Sequence, residues 1–567
     1  MVPDTILYHN TMNFIKKTFK KICLVISIIF VFGFTENYFE ISKNLDVFTT
    51  IYKELNIFYV DDTDAGKLMK TGIDAMLKSL DPYTTYYPES EVEDLKFTTT
   101  GQYGGIGAII TKRDNYVYIS EPYENYPAHK SGLLAGDKIL KIDGKSAKNK
   151  STEEISKILK GQPKTSVELL VERKVGLSES PESKERFSVV LEREKVSIKS
   201  VPYFSYLNED VGYVKLRSFT RNCSSDLKKA IDQLKNQADL KGLVLDLRNN
   251  PGGLLDESVK IVNLFVDKGE EVVSTKGKIK SWHKSYKANN EPVFRDLPLV
   301  VLINSASASA SEIVSGAIQD LDRGVVIGQK SYGKGLVQQT RELSYNAKLK
   351  LTVAKYYIPS GRCIQALDYS NRNDDGSVGN IPDSLITVFK TRNGRKVYDG
   401  GGITPDIVVE KEKYHNLIFS LINQRHFFDY ATNFKIKNKN KIQDTFIVQD
   451  DEFDLFVNYL SDKEYSYKTK TEEALEELKN HAEKEGYFSI LSETHQTFSE
   501  QLKQNKKDDV YKNKDKIKEI LSEEILSRYY YQKGRIKASL AFDKDIEKAI
   551  SIINNNNKYR EILNINN

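Results

Sequence analysis

The chain has 567 residues, and its 84 Lys and Arg against 79 Asp and Glu leave a formal net charge of only +5. That near balance gives no sign of the basic patch of a nucleic-acid binder, and 39% hydrophobic with 29% charged residues excludes wholesale disorder and a multi-span membrane protein. Three cysteines without a CxxC pair, and seven histidines without HExxH spacing, call for no disulfide scaffold, no metal and no cofactor.

Lys16, Lys17, Lys20 and Lys21 precede an uncharged apolar run from Ile22 to Phe34. Thirteen residues are short for roughly 30 Å of hydrocarbon but suit the centre of a signal peptide. Residues 1–34 therefore read as a signal peptide or an uncleaved membrane anchor. The body is expected outside the cytoplasm, in the periplasm or facing the outside of an inner membrane. Cys23 falls in this run, and Cys223 and Cys363 are left undecided as a pair. Residues 35–96 read as helical: Ile41, Leu45, Phe48, Tyr52 and Leu55 step by four and three, as do Met69, Ile73, Met76 and Leu80. Such stripes serve either a core or the pairing of two subunits, so a homo-oligomer stays open.

From Gly101 the sequence turns glycine-rich and β-rich. Ile106–Ile110, Val117–Ile119, Lys138–Ile142 and Ser166–Val171 alternate with turns such as Asp143-Gly144. Gly104, Gly105 and Gly107 would let backbone N–H groups converge on an anion with no side chain in the way. Together with AGDKILKIDGK the stretch resembles a PDZ domain at residues 97–195. PDZ domains add a peptide C-terminus as a strand and capture its carboxylate in such a loop. The resemblance places that capture on Tyr103, Gly104, Gly105, Ile106 and Gly107.

Strand and helix then alternate, which argues for an α/β core. Val211–Phe219 reads as a strand, a helix runs through Leu227–Leu234, and the apolar strand Leu240–Leu247 ends in RNNPGG, residues 248–253. Leu297–Asn304 is a buried strand running into SASASASEIVSGAIQDL. Small residues from Ser305 to Ser311 make a sharp, exposed turn opening a helix with Glu312 in its first turn. That follows the logic of a nucleophile elbow without its GxSxG pattern, and it also suits a serine-rich N-cap. Lys334 sits between two glycines in SYGKGLVQ. From Lys411 onward there is no proline, only two glycines, and 27 basic against 27 acidic residues. Residues 411–567 thus read as a helical domain with mixed-charge faces and a packing stripe at Ile517, Leu521 and Ile525.

LDLRNNPGGLL, NSASASASEIVSGAIQD, GQKSYGKGLVQ, KYYIPSGRCIQ and GGITPDIVV, in this order behind the PDZ-like segment, resemble the carboxyl-terminal processing peptidases, the tail-specific S41 serine peptidases. The resemblance covers residues 40–410 and implies an S41-type α/β protease core at 196–410, with an inserted β-rich PDZ domain and helical N- and C-terminal regions. It implies a serine–lysine dyad aided by a glutamine: Ser309, Lys334 and Gln338. The alternating serines leave Ser307 and Ser311 as other registers, and Lys330 is a rival base. Oxyanion donors fall on Ala310 N–H and on Gly252 or Gly253. Residues 368–400 read as a surface loop and Cys363 as a packed thiol. FFDYATNF, residues 427–434, is similar to the tails of larger family members.

Serine needs a base to accept its proton. A free lysine, with a pKa of about 10.4, is protonated at neutral pH, so a lysine base must be desolvated, to roughly 7–8. Lys334 is accordingly expected to be buried and facing Ser309, with the Gln338 amide oxygen orienting its amine. The function expected is an exported serine endopeptidase acting on proteins with free C-termini, with an adaptor or activator left open. The alternative is a catalytically silent PDZ scaffold that binds peptide tails.

Overall fold

The computed structural model describes residues 38–565 apart from Glu179, Asp374 and Glu464. The segment read as signal peptide or anchor lies outside the described residues. The chain divides into two compact units, residues 1–86 and 87–567.

In the first unit the chain is helical through residues 38–58 and again over Ala65–Lys78. Asp64 caps the second helix by accepting the Lys67 N–H at 2.9 Å. The Tyr52 hydroxyl ties the two together by donating to Ala65 O at 2.8 Å. Ile41 and Leu45 are 65% and 64% exposed, so the first stripe is not a core of the described chain.

In the second unit the PDZ-like segment is an antiparallel sheet of Ala108–Arg113, Tyr116–Pro122, Lys138–Ile142, Ser166–Lys174 and Lys184–Glu192, neighbours in that order. The hairpin at Asp143-Gly144 has φ of 48° and 74°, the two left-handed residues of a tight turn. The helix Thr152–Leu159, opened by a Ser151/Glu154 capping box, closes a core of Val117, Ile119, Ile139, Leu169 and Val171. The first strand, Ala108–Arg113, has a single strand neighbour, which leaves its other edge for an added strand.

The α/β core is a six-stranded sheet whose spatial order follows the chain: Tyr203–Tyr206, Val211–Lys215, Gly242–Asp246, Leu299–Ile303, Val325–Gly328 and Ile407–Val408. The first pair is antiparallel and the rest parallel. GLVLD, LVVLI and VVIG are buried end to end, as strands of a parallel sheet covered on both faces must be. One face is covered by the helices Cys223–Gln237, Leu255–Val262 and Ala310–Asp320, through Leu227, Ile231, Val314 and Ile318. Beside it stands an antiparallel sheet in which Lys348–Tyr357 pairs with both Leu336–Glu342 and Glu271–Gly277.

Two features differ from expectation. Residues 368–400 hold two small ladders, Leu367–Arg372 with Val378–Asn380 and Val388–Lys390 with Lys396–Tyr398. Arg395 anchors the second to the core through Asp322 at 2.6 Å. The C-terminal helices, moreover, serve two cores. Leu417, Phe427, Phe453 and Phe456 gather around the buried Ile517, Leu521 and Ile525. Ile536, Ile546, Ile552, Tyr559 and Leu563 instead cover the second face of the six-stranded sheet, against Val211, Val244, Val300 and Ile327. The helical region also holds the PDZ-like segment, through Arg113–Asp429 at 2.8 Å and Arg425 donating to Thr111 Oγ1 at 2.6 Å.

Candidate active site

The strand Leu299–Ile303 and the helix Ala310–Asp320 are joined by a turn that ends on Ser309, whose φ of 57° and ψ of −113° lie where L-residues rarely go. Such a conformation costs about 1–3 kcal/mol and persists only where the surroundings enforce it. Ser307 is buried, donates to Leu247 O at 2.8 Å and accepts the Asn304 N–H at 2.9 Å. Ser311 is buried and donates to Asn250 O at 2.9 Å. Both neighbouring hydroxyls are thus bonded to backbone on either side of the turn, while Ser309 stays partly exposed.

The loop after Gly242–Asp246 brings Gly252 against this turn. A Cβ on Gly252 would stand 2.7 Å from Ala308 O and 2.9 Å from both Ala310 N and Ser309 Cβ, and its φ is +98°. Only glycine fits. The Gly252 N–H donates to Asn250 Oδ1 at 2.9 Å. The bridge to Phe219 uses Gly252 O and the Leu254 N–H, so among the described residues the Gly253 N–H has no partner. The Ala310 N–H, first of its helix, has no intrahelical acceptor. Of the expected oxyanion donors, Ala310 and Gly253 are therefore the open ones, and Gly252 supplies the close approach.

Arg248, at the start of this loop, is pinned. It bonds Asp246 at 2.9 Å, Asp543 at 2.7 Å and Asp545 at 2.8 Å. Burial pushes the Asp246 carboxyl up, but Arg248 and Lys215 outweigh it and hold the group well below the usual carboxylate range.

Lys334 lies in the Ser331–Gly335 segment and is half-buried rather than fully buried. What joins it to Ser309 is Glu312, which is wholly buried. One Glu312 oxygen accepts from the Ser331 hydroxyl at 2.5 Å and the Gly333 N–H at 2.7 Å. The other accepts from the Lys334 N–H at 2.9 Å and the Ser309 N–H at 2.7 Å. Burial pushes this carboxyl up to about 7, against the pull of those four donors. Opposite, the Tyr356 hydroxyl reaches Ser309 O at 3.1 Å and Lys334 O at 2.5 Å. Neither Glu312 nor Tyr356 had been given a role from sequence. The Ser-x-x-Glu spacing of a capping box was the available signal for the first.

Gln338 stands on the strand Leu336–Glu342, its amide N–H donating to Thr352 Oγ1 at 3.2 Å. Lys330 is exposed, its amine against Gly401. Cys223 and Cys363 are free thiols; burial pushes both up, and Cys223 also faces Glu257. In the PDZ-like segment, Ile106 O and Gly107 O accept from Ala128 and Tyr123 N–H at 2.8 and 2.9 Å. Gly104 and Gly105 pair with Lys195 and Glu194, Gly107 has φ of +72°, and Tyr103 packs edge-on against Phe97.

Residues 210–370 match peptidase family S41, residues 118–173 a PDZ domain, and residues 417–553 the C-terminal helical domain of probable PDZ-proteases. The chain is 36% identical over 386 residues to a carboxy-terminal-processing protease of Bartonella bacilliformis, covering 67% of this chain and 79% of that one. It is 33% identical over 491 residues to a probable CtpA-like serine protease of Staphylococcus aureus, covering 84% and 85%. A solved photosystem II D1 C-terminal processing protease is 27% identical, with a TM-score of 0.34, over 64% of this chain and 92% of that one. With its S41 core, its PDZ domain and its appended helices, the chain belongs to the carboxy-terminal-processing proteases, serine-type peptidases of family S41.

Proposed function

We propose that the protein is an exported endopeptidase that selects substrates by their free C-termini and cuts them with a Ser309–Lys334 dyad. The observation that carries this reading is the strained Ser309 turn joined through Glu312 to the backbone of Lys334. Neutral Lys334 takes the Ser309 proton as Oγ attacks the scissile carbonyl. The carbonyl oxygen becomes an oxyanion facing Ala310 N–H and Gly253 N–H, each such donor contributing about 3–4 kcal/mol. Lys334 returns the proton to the departing amine, leaving an ester on Ser309. It then takes a proton from water, whose hydroxide hydrolyses the ester, and hands that proton back to Ser309. Gln338 orients the amine. The substrate tail is added along Ala108–Arg113, with its carboxylate in the Gly104–Gly107 loop. The lysine cluster and apolar run before residue 35 support export.

Ser309→Ala, Lys334→Ala and Lys334→Arg should each abolish cleavage of a free-acid peptide in a folded protein, since a guanidinium stays charged. A C-terminally amidated peptide should be cut about tenfold more slowly. Full activity in Lys334→Ala with loss in Lys330→Ala would overturn the dyad. Equal rates on amidated and free-acid peptides would overturn tail recognition.

A further inference from the structure

Tyr356 is 1% exposed, so its ring and hydroxyl lie out of reach of any bound peptide. It nonetheless touches both halves of the dyad at once. Its hydroxyl stands 3.1 Å from Ser309 O and 2.5 Å from Lys334 O, and its own N–H donates to Gly335 O at 2.9 Å. Ser309 and Lys334 come from different segments, one at a strand–helix turn and one in a glycine-flanked loop. Glu312 joins these segments through their N–H groups and Tyr356 through their carbonyls. Two side chains thus hold the same two residues, one on their N–H side and one on their carbonyl side. The carbonyl gripped in Ser309 belongs to the residue with the strained backbone, whose ψ rotation would swing it away from Lys334.

We propose that Tyr356 is a positioning residue whose hydroxyl sets the spacing and orientation of the nucleophile-bearing and base-bearing backbones. The assignment rests on Ser309 and Lys334 being the dyad. It predicts an effect on turnover and none on substrate capture, because misplacing a reacting group by about 1 Å can cost 100-fold in rate. A hydroxyl that merely satisfies two carbonyls would act on stability alone. Tyr206 provides that control: its hydroxyl stands 2.8 Å from Leu234 O and 3.0 Å from Ala238 O, on the edge strand of the sheet, away from the strand Leu299–Ile303 that leads into Ser309.

The test measures kcat and KM on a free-acid peptide, with thermal unfolding, for Tyr356→Phe, Tyr206→Phe, Ser309→Ala and Lys334→Ala. Tyr356→Phe should lower kcat about 10- to 100-fold with KM within twofold, while Tyr206→Phe keeps wild-type kcat. Replacing Tyr356 by p-aminophenylalanine puts N–H donors back in place of the single O–H and should bring kcat back to within about threefold. A folded Tyr356→Phe with wild-type kcat refutes the assignment, as does a folded but inactive p-aminophenylalanine variant. The latter also decides the matter where Tyr356→Phe does not fold. Retained activity in Ser309→Ala or Lys334→Ala would instead strike the dyad itself, whatever Tyr356→Phe does.

Discussion

Replacing Glu312 by glutamine tests how the site is held together. The carboxylate accepts four hydrogen bonds, two on each oxygen. An amide keeps one accepting oxygen and turns two N–H donors toward the remaining pair. With that oxygen facing Ser309 and Lys334, the Ser331 hydroxyl can turn to accept, but the Gly333 N–H cannot. One buried N–H is then left unsatisfied, at about 1–3 kcal/mol. Against this stands the relief of no longer burying a charge. The carboxyl rises from 4.5 to about 7 because of burial. A group raised on folding lends stability that is full below its unfolded value and lost as pH climbs through its folded one. Between pH 5 and pH 8 this group alone should withdraw about 2–3 kcal/mol from the wild type. The glutamine variant has no such dependence. Urea unfolding should therefore show a clear deficit for Glu312→Gln at pH 5 that nearly closes at pH 8. Peptide hydrolysis at pH 8 should still fall by about 100-fold, because the Gly333–Lys334 backbone is displaced. A stability difference that does not change with pH, or wild-type kcat at pH 8, would refute the reasoning.

Gly252→Ala should abolish turnover and destabilise by about 3 kcal/mol or more, because its Cβ would press on Ala308 O, Ala310 N and Ser309 Cβ at a φ that L-residues avoid; an active, folded variant would contradict this, read by activity and chemical denaturation together. Arg248→Ala should cost about 3–5 kcal/mol, since Asp246 is 0% exposed and would lose its guanidinium partner while Asp543 and Asp545 repel each other; denaturant midpoints measure it, and a loss below about 1 kcal/mol would show that the cluster is not a single unit.

The parallel strands were legible because GLVLD, LVVLI and VVIG are unbroken apolar runs, which a sheet covered on both faces demands. Lys334 stood out through its flanking glycines, and Ser309 through a turn of small residues followed by Glu312. The role of Glu312 was hidden because Ser-x-x-Glu reads as an ordinary helix cap. Its second task depends on where Gly333 and Lys334 return in space. Tyr356 was hidden for the same reason: it sits in a strand of alternating character, and nothing local marks a hydroxyl aimed at two distant carbonyls. The last helices show an amphipathic stripe that announces a buried face but not its partner. Ile546 and Ile552 could as readily have faced the other C-terminal helices as the peptidase sheet.

That docking has a consequence for how the chain comes to life. Val211, Val244, Val300 and Ile327 are synthesised long before Ile546, Ile552 and Leu563, which shield them. At about 5–20 residues per second the interval is of the order of tens of seconds. Throughout it the sheet bearing Ser309 has one bare side, and Arg248 lacks Asp543 and Asp545. The nascent sheet thus stands half-covered until the last helices dock on it. Burial of the six-stranded sheet is therefore completed only by some of the last residues to be made, and a chain cut short before Ile546 would leave that apolar face open to water.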